Sequence, residues 1–161
     1  MTSDDGGGKS SLVAHFCRVI RDSDPKSVVV PYFVGLSESS EAGRLLHSIL
    51  KSLKRDLHLS RDLPSTENRY DEVISGFASW LEYAARESGR NITIIIDSID
   101  KATHASNNYT WFPREFPKDV KVILSCSPGS DAFRLFSERL WTSVIPIRPV
   151  TPPPSSLSIL I

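Results

Sequence analysis

The pattern of apolar and polar positions predicts strands that alternate with helices along the chain. Residues 92–97 form a run of β-branched residues that ends in Asp97, and the run shows no apolar–polar alternation. Such a run is typical of a strand that is buried on both faces of a parallel sheet. Similar runs at 28–34, 120–126 and 142–147 predict three further strands.

Between these strands, apolar residues recur at helical spacing. The spacing predicts helices over 10–21, 41–59, 68–86 and 131–140, and Gly89 is placed to end the third of them. Strands separated by helices imply an α/β fold, a three-layer sandwich with a mostly parallel sheet. We assign residues 1–148 to one domain and residues 149–161 to a proline-rich C-terminal tail.

A glycine-rich loop stands directly before the first helix and consists of Gly6, Gly7, Gly8, Lys9, Ser10 and Ser11. Glycines let successive backbone N–H groups turn toward phosphate oxygens, and a helix start adds its positive dipole end. In such a phosphate-binding loop Lys9 would reach the phosphates and the Ser10 hydroxyl would bind magnesium. The full pattern requires a glycine where Ser3 stands, so a flexible N-terminal tail is the alternative interpretation.

Asp97 supplies a second candidate for phosphate chemistry. An aspartate at the end of a buried strand lies at the carboxyl edge of the sheet, where ligands bind in open α/β folds. In phosphate-loop enzymes that carboxylate holds the magnesium ion, whereas the alternative for Asp97 is a cap after the strand. Together the loop and Asp97 favour nucleotide binding more strongly than either does alone.

Composition narrows the class of protein. The 161 residues suffice for one domain with a core, and 19 basic residues balance 19 acidic ones. The absence of a basic patch argues against a nucleic-acid partner. Two cysteines far apart in sequence, Cys17 and Cys126, are interpreted as reduced thiols of a cytoplasmic protein. No apolar run reaches membrane-spanning length and the polar N-terminus is unlike a signal peptide, so we expect no membrane partner.

The predicted sheet lacks the strand that should precede the phosphate loop. In such folds that strand lies inside the sheet, so its loss would leave two strand edges unpaired. We favour the explanation that the chain is a fragment or an alternative product of a longer gene. The other explanation is that a different segment fills the gap, and Leu157–Ile161 is apolar enough to do so.

Four segments together resemble a known family. They are Gly-Gly-Gly-Lys-Ser-Ser-Leu at 6–12, Val-Val-Val-Pro-Tyr-Phe-Val-Gly at 28–35, Ile-Ile-Ile-Asp-Ser-Ile-Asp at 94–100, and the stretch from Trp111 to Ser125. They look like a NACHT-type P-loop NTPase of the STAND class, most of all its nephrocystin-like subgroup, in which the module sits beside tetratricopeptide or other repeats. The resemblance covers residues 4–148.

The resemblance implies a regulatory switch that binds ATP or ADP with Mg²⁺. It assigns Lys9 and Ser10 to phosphate and magnesium, Asp97 to the metal, Asp100 to orienting a water, and Ser125 to sensing the γ-phosphate. Partners would be a nucleotide and other proteins, or further copies, bound through parts of a longer parent chain. Lys101 follows Asp100 where many NACHT proteins have a second acid, so any ATPase would be weak.

Three hypotheses from different classes remain open. The favoured one is an ATP-binding regulatory module with slow hydrolysis. The second is a degenerate phosphate-loop fold that serves as a protein-interaction scaffold without nucleotide turnover, supported by Ser3, Lys101 and the missing strand. The third is a small-molecule kinase, which would need an arginine-rich lid that this chain does not show.

Overall fold

A computed structural model describes residues 9–35, 40–104, 108–139, 142–147 and 157–160. This part of the chain contains four helices, α1 (Lys9–Ser23), α2 (Ala42–Asp56), α3 (Asp71–Ser88) and α4 (Asp131–Ser137). It also contains five strands, β1 (Val28–Phe33), β2 (Ile92–Asp97), β3 (Val120–Cys126), β4 (Val144–Ile147) and β5 (Leu157–Leu160). Short 3₁₀ turns lie at Asn68–Tyr70 and Ile99–Lys101.

The strands form one sheet in the order β1-β2-β3-β5-β4. β1, β2 and β3 are parallel, and β5 is antiparallel to both β3 and β4. The predicted α/β class is therefore confirmed, with a parallel half and an antiparallel half. All four predicted strands and all four predicted helices are present, although α2 ends at Asp56 and α4 at Ser137, earlier than predicted.

The segment Leu157–Leu160 corrects the expectation that the sheet has an unfilled gap. It forms β5, which lies inside the sheet between β3 and β4. β5 pairs with Leu124, Ser125 and Cys126 of β3 and with all four residues of β4. The explanation that we favoured less from sequence is thus the arrangement observed, because an apolar strand satisfies the backbone groups of two neighbours at once.

Alternate residues of the parallel strands contribute side chains to two separate hydrophobic cores, one on each face of the sheet. On one face, α2 and α3 pack against Val30, Ile94 and Val122 and their like-facing neighbours. On the other face, α1 contributes Val13 and Cys17 to a smaller cluster, which it shares with Val29, Ile95 and Ile123. All six residues of β2 are buried, as the unbroken apolar run predicts for a central parallel strand.

The outer edge of β1 is closed to further strands. The N–H of Val28 donates to the carbonyl of Asn91, and the N–H of Val34 donates to the carbonyl of Asp97 at the end of β2. The backbone N–H and C=O groups of the odd-numbered residues between them therefore point away from β2, toward the outer edge. One outward carbonyl, that of Val29, accepts a 3.0 Å hydrogen bond from the Arg21 guanidinium. Another outward position is Pro31, which has no N–H to offer. These features keep the edge from pairing with another chain.

The contact between α2 and the turn before α3 requires a glycine. Gly43 is buried near the start of α2, and a methyl group placed there would overlap the Tyr70 side chain, with Cγ only 2.7 Å away. Tyr70 itself has a positive φ of 65°. By contrast, a methyl group at Gly76 in α3 would come no closer than 3.7 Å to Pro64, an ordinary contact.

We predict opposite effects for alanine at these two glycines. Gly43→Ala should lower the free energy of unfolding by about 1–3 kcal/mol, because Tyr70 must move to admit the methyl group. Gly76→Ala should leave the free energy unchanged or raise it by up to about 1 kcal/mol, because alanine favours the helix. Urea unfolding of both variants measures the difference. Equal stability of the two variants would contradict the packing described for Tyr70.

Candidate functional site

Asp97 and Ser125 meet at the carboxyl edge of the parallel strands. Each is 2% exposed, and their strands are in register because Ile96 pairs with Leu124 just before them. The Ser125 hydroxyl donates a hydrogen bond to Asp97 Oδ1 and accepts a 2.8 Å hydrogen bond from the N–H of Ser98. The hydroxyl is therefore engaged on both sides, and the two strand ends are tied together.

The turn that follows Asp97 is what aims this N–H at Ser125. Ser98 adopts the left-handed conformation, with φ 59° and ψ 48°. That conformation is unusual for a residue other than glycine and is typical of tightly held turns at functional edges. The sequence predicted that Asp97 and Ser125 lie at the ends of consecutive strands of the chain, but not the hydrogen bonds that join them.

The predicted phosphate loop is only partly described by the structure. Gly6, Gly7 and Gly8 lie outside the described residues, and Lys9, Ser10 and Ser11 form the first turn of α1, of which only the backbone is described. α1 packs on the sheet and joins β1 through the short turn at 24–27, so it runs antiparallel to β1. Its start therefore lies toward the same carboxyl edge as Asp97.

Asp100 lies one turn beyond Asp97 and lines a separate cleft. It belongs to the 3₁₀ turn Ile99–Lys101, and the cleft beside it has a volume of about 330 Å³. Its lining includes Asp100, Lys101, His104, Tyr109, Trp111 and Asp131. Asp131 starts α4 directly after β3, so both carboxyl groups come from segments that leave the carboxyl edge of the sheet.

The surroundings of this cleft suppress ionisation of two neighbouring groups. Burial raises the pKa of the Tyr109 hydroxyl, and the charges of Asp100 and Asp131 raise it further. Burial, and then Asp100, raise the pKa of the Cys126 thiol to about 11, against a smaller opposing effect of a hydrogen bond with Ser130. Both groups are therefore neutral at pH 7, and Cys126 is no candidate for a nucleophile.

In the described part of the chain, no group of three or more histidine, cysteine, aspartate or glutamate side chains is arranged to hold a metal ion. Asp97 has its hydrogen bond from Ser125, and the Ser10 side chain is not described. The assignment of Mg²⁺ to Ser10 and Asp97, and of ATP or ADP to the loop, stays a prediction. Among the described helices, none has the length and apolar character needed to cross a membrane.

Sequence reasoning missed three residues of the cleft, Tyr109, Trp111 and Asp131. It named Trp111 only as the start of a family-like stretch and gave the other two no role. One available signal was the position of Asp131, which follows a predicted strand just as Asp100 does. No periodicity marks Tyr109, because it lies in an irregular segment and has a positive φ of 54°.

Comparison with known proteins gives three distant relatives. The chain is similar to a TPR repeat-containing protein of Dictyostelium discoideum, with 24% identity over 182 aligned positions that take in 91% of this chain and 11% of the relative. It is also similar to tetratricopeptide repeat protein 41 of Mus musculus, 24% identical over 81% of this chain, and of Rattus norvegicus, 25% identical over 78%. The chain spans about a tenth of the length of these relatives.

No protein-family profile matches the chain, and no solved structure is significantly similar to it.

These relatives contradict the family predicted from sequence. They are named for tetratricopeptide repeats, and none is named as a NACHT-type, STAND-class or P-loop NTPase. The prediction of an ATP-binding regulatory NTPase is likewise wrong. One of the segments behind it, the strand that ends in Asp97, has a structural origin, because a strand buried on both faces requires an apolar run and Asp97 is bonded by Ser125 at its end. The relatives agree better with the alternative of an interaction scaffold.

We predict that the Ser125 hydroxyl stabilises the fold. Ser125→Ala should lower the free energy of unfolding by about 1–3 kcal/mol, because it leaves the buried Asp97 carboxyl group without this donor. Ser79→Ala is the matched control, since its exposed hydroxyl bonds only a carbonyl of its own helix, and it should change stability by less than about 0.5 kcal/mol. Denaturant unfolding gives both values. An unchanged free energy of unfolding in Ser125→Ala would show that the Asp97–Ser125 contact does not stabilise the protein.

We also predict that both thiols are unreactive in the folded protein. Cys17 and Cys126 are buried, and burial raises the pKa of each thiol. At pH 8 only about one Cys126 thiol in a thousand would be ionised, and the thiolate is the reactive form. Mass spectrometry after iodoacetamide treatment should find both cysteines unmodified in buffer and both alkylated in denaturant. Rapid alkylation of native Cys126 would contradict the environment described for it.

Proposed function

We propose that this chain is a protein-interaction domain, a degenerate phosphate-loop fold that acts as a scaffold without nucleotide turnover. The observation that carries the proposal is the similarity to proteins named for tetratricopeptide repeats over 78–91% of this chain. Repeats of that kind form extended binding surfaces in the proteins that contain them. Protein partners, or further copies, would be bound in the context of a longer chain.

The fold supports a role beside such repeats rather than as one of them. A tetratricopeptide repeat is a pair of helices in about 34 residues. The described residues instead build a five-stranded sheet with helices on both faces. We infer that the chain corresponds to a neighbouring domain of the relatives, which would hold or present the repeat array.

The free thiols support a cytoplasmic location for this scaffold. Cys17 and Cys126 are both unpaired and buried, and they pack in different cores on opposite faces of the sheet. Buried thiols without disulfide partners are usual in reducing compartments. Partners of this scaffold would then bind its surface noncovalently and not through disulfide bonds.

The first experiment separates scaffold from NTPase with the full chain. Phosphate release from ATP and Mg²⁺ is measured for the unchanged protein, for Lys9→Ala and for the control Lys26→Ala, which lies in an exposed turn. We expect no release above background and no difference among the three proteins. Release that disappears only in Lys9→Ala would overturn the proposal, because it would require a working phosphate loop.

The second experiment searches for the interaction itself. Random peptides displayed on phage are selected on the immobilised chain, and enriched sequences are synthesised and titrated. We expect a shared motif with Kd of about 1–100 μM, which corresponds to a binding free energy of about −8 to −5 kcal/mol. Selection that enriches nothing on the folded chain would contradict a peptide-binding scaffold.

A further inference from the structure

The edge of β3 that faces away from β2 is paired along only half of its length. β3 runs from Val120 to Cys126, and β5 pairs with its last three residues. On the other side, β2 pairs with β3 from Val120 to Leu124. Among the described residues, none pairs with the outer edge of β3 at positions 120–123, a stretch that we call the open edge.

The hydrogen bonds between β2 and β3 determine which backbone groups the open edge presents. The N–H of Ile92 donates to the carbonyl of Asp119, and Ile92 lies opposite Val120. In a parallel pair of this register, the odd-numbered residues of β3 direct their N–H and C=O groups toward β2. The N–H and C=O of Val122 and the C=O of Val120 therefore point outward. The N–H of Val120 is engaged, because it donates to the Pro117 carbonyl at 2.9 Å.

The open edge lacks the protection that the outer edge of β1 has. In β1, Pro31 has no N–H to offer, and Arg21 donates to an outward carbonyl. β3 contains no proline, and no described side chain donates to the outward carbonyls of Val120 and Val122. Alternating donors and acceptors of this kind are complementary to the backbone of another extended chain.

An apolar groove lies directly beside the open edge and has a volume of about 460 Å³. The apolar part of its lining consists of Phe116, Pro117, Val120 and Val122. Residues that lie directly opposite each other in paired strands place their side chains on the same face. A segment paired with Val122 would therefore place one side chain beside that of Val122, in the groove. The apolar lining favours an aliphatic side chain at this position.

The charges at the groove favour an acidic residue next to that aliphatic one. Lys118 and Lys121 line the groove and are exposed, and neither forms an ion pair with another described residue. Glu115, which also lines the groove, offsets one of the two positive charges. The remaining charge argues against a second copy as the occupant, because a copy paired through the same edge would bring its own Lys121 close.

We propose that the open edge binds an extended segment of a partner protein, which joins the sheet antiparallel to β3, as β5 does. One residue of the segment exchanges both backbone hydrogen bonds with Val122 and places an aliphatic side chain in the groove. An acidic residue next to it lies opposite Lys121 and pairs with the ammonium group. The inference rests on the proposed scaffold function and names the chemistry of its partner.

The test is an NMR titration of the full chain with acetyl-Thr-Glu-Val-Glu-Thr-amide. Two matched control peptides each carry one N-methyl group, either on the central valine, whose N–H would face β3, or on the glutamate after it, whose N–H would face away. The unmodified peptide should shift the Val122 amide resonance. Methylation of the central valine should weaken binding by at least about tenfold, and methylation of the glutamate by less than about threefold.

A charge reversal tests the acidic neighbour. Lys121→Glu should weaken binding of the unmodified peptide by about threefold to tenfold, because an attraction at the protein surface becomes a repulsion. Lys51→Glu reverses an exposed lysine of α2 and should leave the affinity unchanged. Equal affinity of the two variants would contradict the placement of an acidic residue opposite Lys121.

Three results would overturn the inference while leaving the scaffold function intact. The first is an unchanged Val122 amide resonance at peptide concentrations up to about 5 mM. The second is equal affinity for the two N-methyl peptides. The third is a Val122 resonance that shifts with protein concentration before any peptide is added, because the occupant would then be a second copy. Failure of the scaffold function is distinct, since the phage selection would then enrich no peptide at all.

Discussion

The requirement that β2 be covered on every side organises the molecule. Its six residues are all buried, so β1 and β3 must pair with its two edges and helices must cover its two faces. Fully burying one isoleucine side chain contributes about 1.5–3 kcal/mol, which makes this strand a large share of the core. The cover is unequal, because α2 and α3 share a large cluster and α1 holds a small one. We therefore expect the α1 layer to open locally more readily than the layer of α2 and α3.

Most helices and strands were predictable because the faces that they bury determine the order of apolar and polar residues. The run at 92–97 predicts a strand buried on both faces, and the apolar spacing in α2 and α3 predicts one buried face for each helix. The structure has these faces buried. The position of β5 in the sheet could not be predicted, because four residues after a proline-rich stretch carry no information on which strand they pair with. Its position depends on pairing with β3, which is distant in sequence.

The candidate site was likewise predictable only in part. That Asp97 and Ser125 end neighbouring parallel strands follows from topology, whereas their contact depends on register, which single sequences do not contain. The cleft depends on turns in the left-handed conformation at Ser98 and Tyr109, which no apolar pattern reveals. The family resemblance failed for a related reason, since a fold with a strand buried on both faces requires an apolar run there whatever its chemistry.

The two outermost strands of the described sheet each contain a proline, Pro31 in β1 and Pro146 in β4. Pro31 stands at the outer edge of β1 without an N–H to offer another strand, and Arg21 occupies a carbonyl of the same edge. At the β1 edge, the described sheet is consequently hindered from growing from molecule to molecule. With backbone pairing hindered at that edge, contacts that other chains make there would have to be made by side chains.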